Sequence, residues 1–369
     1  MVAVFQALKE ETRSAGEDTT VRRNHLVIVP VALLSMVFVS GCGKQALTSQ
    51  TVDAERLQMF KPLPEALRVK AGGAEEQRVQ LGRMLYYDAR LSRSQTISCN
   101  TCHKLDAYGV DNEPTSDGYR NQRGVRNSPT VYNAAAHFVQ FWDGRAKDVE
   151  AQAKGPVLNP VEMAMASDKQ VVAVLKSMPE YVDAFKQAFP GDKDPVTFDN
   201  AANAIGTFER KLLTPARWDK FLKGDATALT PEEKAGFNVF YETGCETCHA
   251  GALVGGNLYQ KLGNVKKYPD TTDLGRFAVT KEDSDRMIFK VPSLRNVEKT
   301  GPYFHNGKVA RLDEAVRQMA DYQLGKKLKP EEVAAITTYL HSLTGVIPAE
   351  VIKPPVLPPS TAKTPKPEA

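Results

Sequence analysis

Two five-residue segments carry chemistry on their face: Cys99-Asn100-Thr101-Cys102-His103 and Cys245-Glu246-Thr247-Cys248-His249. Each sets two thiols one helical turn apart and puts an imidazole directly after the second. Thiols at that spacing add to the two vinyl groups of a haem, and the adjacent histidine then reaches the iron as its proximal ligand. A thioredoxin-like redox pair would want a βαβ context, which the sequence lacks, and a zinc site gives no reason for the histidine after each pair. The motifs therefore predict two covalently bound haem c groups, held by Cys99, Cys102, Cys245 and Cys248, with His103 and His249 on the two irons.

The fifth cysteine, Cys42, closes the stretch Val39-Ser40-Gly41-Cys42, behind an apolar run from Leu26 to Val39 that follows Arg22 and Arg23. That run is shorter than the roughly 20 residues of a membrane helix and reads as the core of a signal peptide. VSGC resembles a bacterial lipobox, which makes residues 1–42 a leader and Cys42 the lipidated residue of a periplasmic lipoprotein anchored to a membrane. An ordinary signal peptide or a short anchor is the alternative. Residues 1–20 are polar and partly acidic, unusual ahead of such a run, so the start of translation is open. Exported chains with several cysteines normally form disulfides, but these motifs leave no cysteine to pair.

Helices must position the motifs. EEQRVQLGRMLYYD precedes the first, with Val79, Gly82, Leu85 and Tyr86 on one stripe, and TPEEKAGFNVFYETG precedes the second, with a capping box at Thr230 and Glu233 and Pro231 at the first helical position. SMPEYVDAFKQAF, TFDNAANAIGTFERKLL and KPEEVAAITTYLHSLTG are amphipathic at three- and four-residue steps. No convincing run of alternating strands appears. The expected fold is all-α, with two cytochrome c-like haem domains in tandem. After a linker over 43–55, the domains cover 56–213 and 214–346, and a proline-rich tail over 347–369 is expected to be disordered. The 369 residues carry a formal charge of +4, with isoelectric point near 8.6 and the cations scattered. No nucleic acid partner is expected.

Function turns on the other face of each iron, since two strong ligands make a carrier and an open position makes a catalyst. Here the chain, from about residue 56 to 345, resembles the bacterial di-haem cytochrome c peroxidases. The resemblance rests on LGRMLYYDARLSRSQTISCNTCH, GVDNEPTS, RNSPTVYN, QFWDGRAKDVEAQAKGPVLNPVEM, KDPVTFDN and RNVEKTGPYFHNGKV. It implies that His103 serves a low-potential haem where hydrogen peroxide is reduced, and that His249 and Met319 hold a high-potential haem that takes electrons from a small cytochrome c or copper protein. It further implies Trp142 between the haems, Glu162 as acid and base with Gln152 assisting, and a calcium ion at Asn127, Thr300 and Pro302. A homodimer is implied as well. Taken alone, Met319 and Trp142 read as core residues and Glu162 as a solvated carboxylate. His305 is expected to be structural, and His137 and His341 to be packing or surface residues.

One position departs from the family pattern. The histidine that occupies the resting peroxidatic iron in a Gly-His pair falls sixteen residues after the proximal one, and here that pair is Gly118-Tyr119. Tyr119 can ligate ferric iron as a phenolate, leave the iron open so that no prior reduction is needed, or face solvent. Two other readings compete. One is a high-valent-iron oxidase resembling the enzyme that matures the methylamine dehydrogenase cofactor, which carries tyrosine where this chain has Met319. The other is a di-haem electron carrier, which would need both irons closed.

Overall fold

Gly73–Tyr87 forms helix α1 and buries Val79, Leu81, Gly82, Leu85 and Tyr86, the stripe its spacing predicts. The structure is a computed structural model that describes residues 50–65, 67 and 72–368. The leader, Cys42 and most of the linker lie outside the described residues. The described residues belong to one compact unit, so the two halves below are regions of it.

In the first half, α1 is followed by α2 (Val149–Leu158), α3 (Asp168–Lys176), α4 (Pro179–Ala188) and α5 (Phe198–Glu209). Asp148, Ser167 and Thr197 cap α2, α3 and α5 by accepting backbone N–H bonds, each worth about 1 kcal/mol. α1 packs on α4 and α5, and α2 packs on α5. Leu81, Leu85, Val157, Val174, Phe185 and Ile205 share the resulting core.

The second half is built on α6 (Pro231–Thr243), α7 (Leu312–Leu324) and α8 (Pro330–His341). Thr230 and Glu233 close the capping box, with N–H donors at 3.2 and 2.9 Å from the partner's side-chain oxygen. Gly244, at φ 95°, ends α6 directly before Cys245. Trp218, Phe237, Phe240, Ile336, Tyr339 and Leu340 form the core here. One antiparallel ribbon, β1 (Tyr259–Lys261) against β2 (Ile288–Lys290), pairs Gln260 with Phe289. It is too short to show an alternating pattern in sequence.

The helix before each haem motif crosses a later helix at a glycine. A Cβ on Gly82 would lie 1.9 Å from the Ala204 carbonyl oxygen, and one on Gly236 would lie 2.1 Å from that of Ala335. Only glycine permits either approach.

The ends of the chain depart from the expected boundaries. Phe60 packs against Trp218 and Phe237, and Gly251 donates its N–H to the Met59 carbonyl at 2.9 Å. The start of the expected first domain thus packs on the second half. The tail is not loose: Val351 joins the cluster of Tyr86, Leu105 and Tyr132, and Thr361 donates to the Ser177 carbonyl at 2.8 Å. Glu368 pairs with Arg93 at 2.5 Å. Proline lowers the entropy lost on ordering such an extended strap, which composition alone does not reveal.

Beneath these contacts, Arg295 meets Asp219 through two bonds of 2.5 and 2.8 Å, with side chains 1% and 5% exposed. Asp219 also accepts the Leu63 and Ala216 N–H groups, so the pair fastens the early segment to the second half.

Candidate functional site: two haem-binding turns

Both motifs close into the same turn. The His103 N–H donates to the Cys99 carbonyl at 2.9 Å, and the His249 N–H donates to that of Cys245 at 3.0 Å. Each turn therefore carries two thiols and an imidazole on one short scaffold. The four cysteines are free of disulfides. Burial pushes the Cys99 thiol up to about 12, Cys102 to about 11 and Cys245 to about 12, so these are neutral thiols suited to covalent attachment rather than thiolate chemistry.

Around the second turn lies a cavity of about 270 Å³, whose wall includes Cys245, Cys248, His249 and Met319. The carbonyl of Val254 lies 3.3 Å from His249 Nδ1, which directs Nε2 to a metal. Burial holds the His249 imidazole down at about 4, so the ring is a neutral ligand. α7 carries Met319 to the same cavity. The donor set and the apolar wall fit a haem, as a thioether and an imidazole suit an iron that accepts electrons readily.

The first turn differs. Tyr86 donates to the His103 carbonyl at 2.7 Å, while His103 Nδ1 is buried with no partner at hydrogen-bonding geometry. Burial lowers the His103 pKa, again favouring the neutral ring. Buried neutral thiols and a buried neutral imidazole fit a haem, which the thiols would hold covalently and the ring would ligate.

Residues far apart in sequence meet beside this turn. After α2, Asn159 starts a tight turn and donates its amide to Glu162 Oε1 at 2.8 Å. The Tyr119 N–H donates to the Glu162 carbonyl at 2.8 Å. Burial raises the Glu162 pKa, while the Arg145 charge and the Asn159 bond oppose it. Its carboxylate is among the charges acting on the Cys102 thiol. Gln152 lies on α2, half-buried. Tyr119 is only 6% exposed, which removes the solvent-facing alternative. The guanidinium groups of Arg93 and Arg120 lie 5.6 and 5.1 Å from its ring centre.

Trp142 donates its indole N–H to the Asn127 carbonyl at 2.9 Å and meets His305 edge-on at 6.5 Å. Its loop is held by Arg126, which spans Asp143 and Asp273 at 2.6 Å each. Asn127 donates its amide to the Glu113 carbonyl at 3.0 Å, which leaves Oδ1 as an acceptor. Asn127, Thr300 and Pro302 all border the second cavity. Among the described residues no group of three or more His, Cys, Asp or Glu side chains could hold a metal, so a calcium shell here would rest on carbonyl oxygens. His305 is buried and stacks on Phe289 at 4.4 Å, while His341 is exposed.

Sequence reasoning missed Lys290, Arg93, Arg295 and Glu209. Their spacing carries no motif, and their roles come from what the fold sets beside them. His137, expected to be packing or surface, lines the second cavity with Lys290. Among the described residues no helix is long and apolar enough to cross a membrane.

The family model described as "Di-haem cytochrome c peroxidase" matches residues 76–227. The cytochrome c551 peroxidase of Pseudomonas aeruginosa is 49% identical, over 84% of this chain and 90% of that one. The cytochrome c551 peroxidase of Nitrosomonas europaea is 46% identical, over 78% and 85%. A crystal structure of a MauG-like protein associated with microbial copper homeostasis aligns with TM-score 0.70 and 25% identity, covering 83% of this chain and 99% of that one. With the turns, the paired helices and these likenesses together, the chain belongs to the di-haem cytochrome c peroxidase family.

Proposed function

We propose that the chain reduces hydrogen peroxide to water with electrons from a small cytochrome c or copper protein, and does so without prior reduction. The observation that carries this reading is the hydrogen bond from Tyr119 to the Glu162 backbone, which sets a position without imidazole beside a buried carboxyl. The haems, when bound, supply the electron relay and the metal at which peroxide is cleaved.

The residues do the rest. Glu162, whose raised pKa brings it nearer to neutrality, takes the proton from one peroxide oxygen on a carboxylate oxygen and returns it to the other. The balance is one peroxide, two electrons and two protons to two waters. Gln152 orients peroxide by hydrogen bonding. Trp142, fixed through its N–H, gives a rigid aromatic path from the His249 and Met319 side to the His103 side. Tyr119 acts as a packed wall under two guanidinium groups rather than as a ligand, which the two cation–π contacts support. Thr300, Pro302 and Asn127 hold calcium through oxygen atoms. Residues 56–213 and 214–346 work as peroxidatic and electron-transfer domains. Cys42 anchors the protein as a periplasmic lipoprotein, and the working form is a homodimer.

Met319 supports electron uptake over the oxidase alternative, and the Glu162 site supports catalysis over a pure carrier. The test is low-temperature EPR of the oxidised protein followed by peroxide turnover without pre-reduction. A high-spin ferric signal with immediate turnover is expected. Two low-spin haems and no turnover even after half-reduction would overturn the reading.

A further inference from the structure

Lys290 ends β2 and is 6% exposed. Its Nζ lies 3.1 Å from Nδ1 of His137, and both side chains border the second cavity. An ammonium can only donate, so it fixes His137 as the tautomer that accepts at Nδ1 and carries its proton on Nε2. That Nε2 is buried with no hydrogen-bond partner. Burial lowers the Lys290 pKa to about 8, which leaves it charged at neutral pH. Burial and the Lys290 charge together keep His137 neutral.

The pair is therefore a buried positive charge with spare donors, beside an imidazole N–H that has no acceptor. Among the described residues no carboxylate forms an ion pair with Lys290, and none borders the cavity. An unpaired buried charge of this kind costs several kcal/mol, so its partner is expected to come from outside the chain. The missing group must be an anion that accepts several hydrogen bonds. A carboxylate has that chemistry, and a haem carries two of them as propionates.

We propose that Lys290 and His137 form the carboxylate-binding end of the second cavity: Lys290 Nζ and His137 Nε2–H receive a haem propionate. The proposal rests on the reading that this cavity holds a haem. Lys290 also donates its backbone N–H to the Trp142 carbonyl at 2.7 Å, which ties the charge to the tryptophan loop. By neutralising the propionate, the pair disfavours the more positive ferric state and raises the potential of this haem. Lys290 is a positioning and tuning residue, because it acts through the haem and touches no peroxide.

The test uses the full-length di-haem protein carrying haem labelled with ¹³C at the propionate carboxyls. Lys290→Met is expected to shift the labelled carboxylate band in the reduced-minus-oxidised infrared difference spectrum. It is also expected to change the oxidised-to-reduced ratio of the high-potential haem about tenfold toward ferric, a fall of about 59 mV for a one-electron couple. Lys290→Arg should keep both near the parent values. His137→Phe, which keeps the charge, should move the band alone and serves where Lys290→Met does not fold. An unmoved band and unmoved potential in Lys290→Met, or an unmoved band in His137→Phe, would overturn the proposal. The premise is checked separately by haem stoichiometry in the Cys245→Ser/Cys248→Ser double variant. Loss of one covalent haem upholds it, and retention of both sinks the premise rather than the tuning role.

Discussion

The two CxxCH turns share one backbone bond, from the histidine N–H to the first cysteine's carbonyl, yet their surroundings differ. At the second turn His249 Nδ1 meets a carbonyl, Met319 shares the cavity, and the wall is mostly apolar. Beside the first turn, the Tyr119 N–H is fastened to the backbone carbonyl of Glu162, whose own carboxyl has a raised pKa, and the Arg93 and Arg120 guanidinium groups lie near the tyrosine ring. The motif thus installs a group, and the packed environment decides its use. An imidazole and thioether pair suits electron relay, whereas a site with an acid and no imidazole opposite suits chemistry.

The largest test of this contrast is Glu162→Gln. Turnover should fall about 10²–10⁴-fold with both haem spectra intact. In the parent the acid limb of kcat/KM should sit above the ordinary carboxylate range, because burial raises this pKa. Below that pKa the base is protonated and the rate falls; in the Gln variant the limb disappears. If the limb survives, the first site has another base.

Next in size is Asp219→Asn, which leaves the Arg295 guanidinium, 1% exposed, without a charged partner. Chemical denaturation should show a loss of about 3–5 kcal/mol, with the second haem's spectrum changing before the first. Simultaneous loss would show that the halves melt as one. Met319→Leu should lower the second haem's potential by on the order of 100 mV, within the ~0.8 V range that axial ligands command, and leave the first unchanged. A fall at the first haem instead would reverse the assignment of the two turns.

A test by pH also separates the halves. Burial, with the Glu150 charge adding and Arg210 opposing, raises the Glu209 carboxyl to about 8, against about 4.3 when unfolded. Between those values the folded state holds the extra proton, so stability is present at low pH and is lost as pH rises, by at most about 1.4 kcal/mol per unit. Glu209→Gln should flatten that slope in a pH series of melting temperatures. The smallest expected effect is Tyr119→Phe, with an unchanged ferric EPR signal and turnover within about twofold if the ring is a wall. A low-spin signal lost in this variant would make it a ligand.

Much of this was legible in the chain. Thiol spacing named the haem turns, and helical periodicity named the helices that carry them, because covalent chemistry and amphipathic burial leave local signatures. The Val79, Gly82, Leu85 and Tyr86 stripe shows it. Phe60 and Val351 were not legible, since each packs on the half of the chain farther from it in sequence. Lys290 was opaque for the same reason: its meaning lies in the His137 ring, 153 residues away.

The segment around Tyr119 is pinned by backbone atoms, through Tyr119 N–H to the Glu162 carbonyl and Gly118 N–H to the Gln122 carbonyl, both 2.8 Å. Neither bond uses the side chain at 119. The backbone of the loop is therefore held by bonds that do not involve the side chain at 119, while the Tyr119 ring itself is buried. A tyrosine codon becomes a histidine codon by a change in its first base, so one mutational step at this position would place an imidazole where the family pattern carries its Gly-His pair.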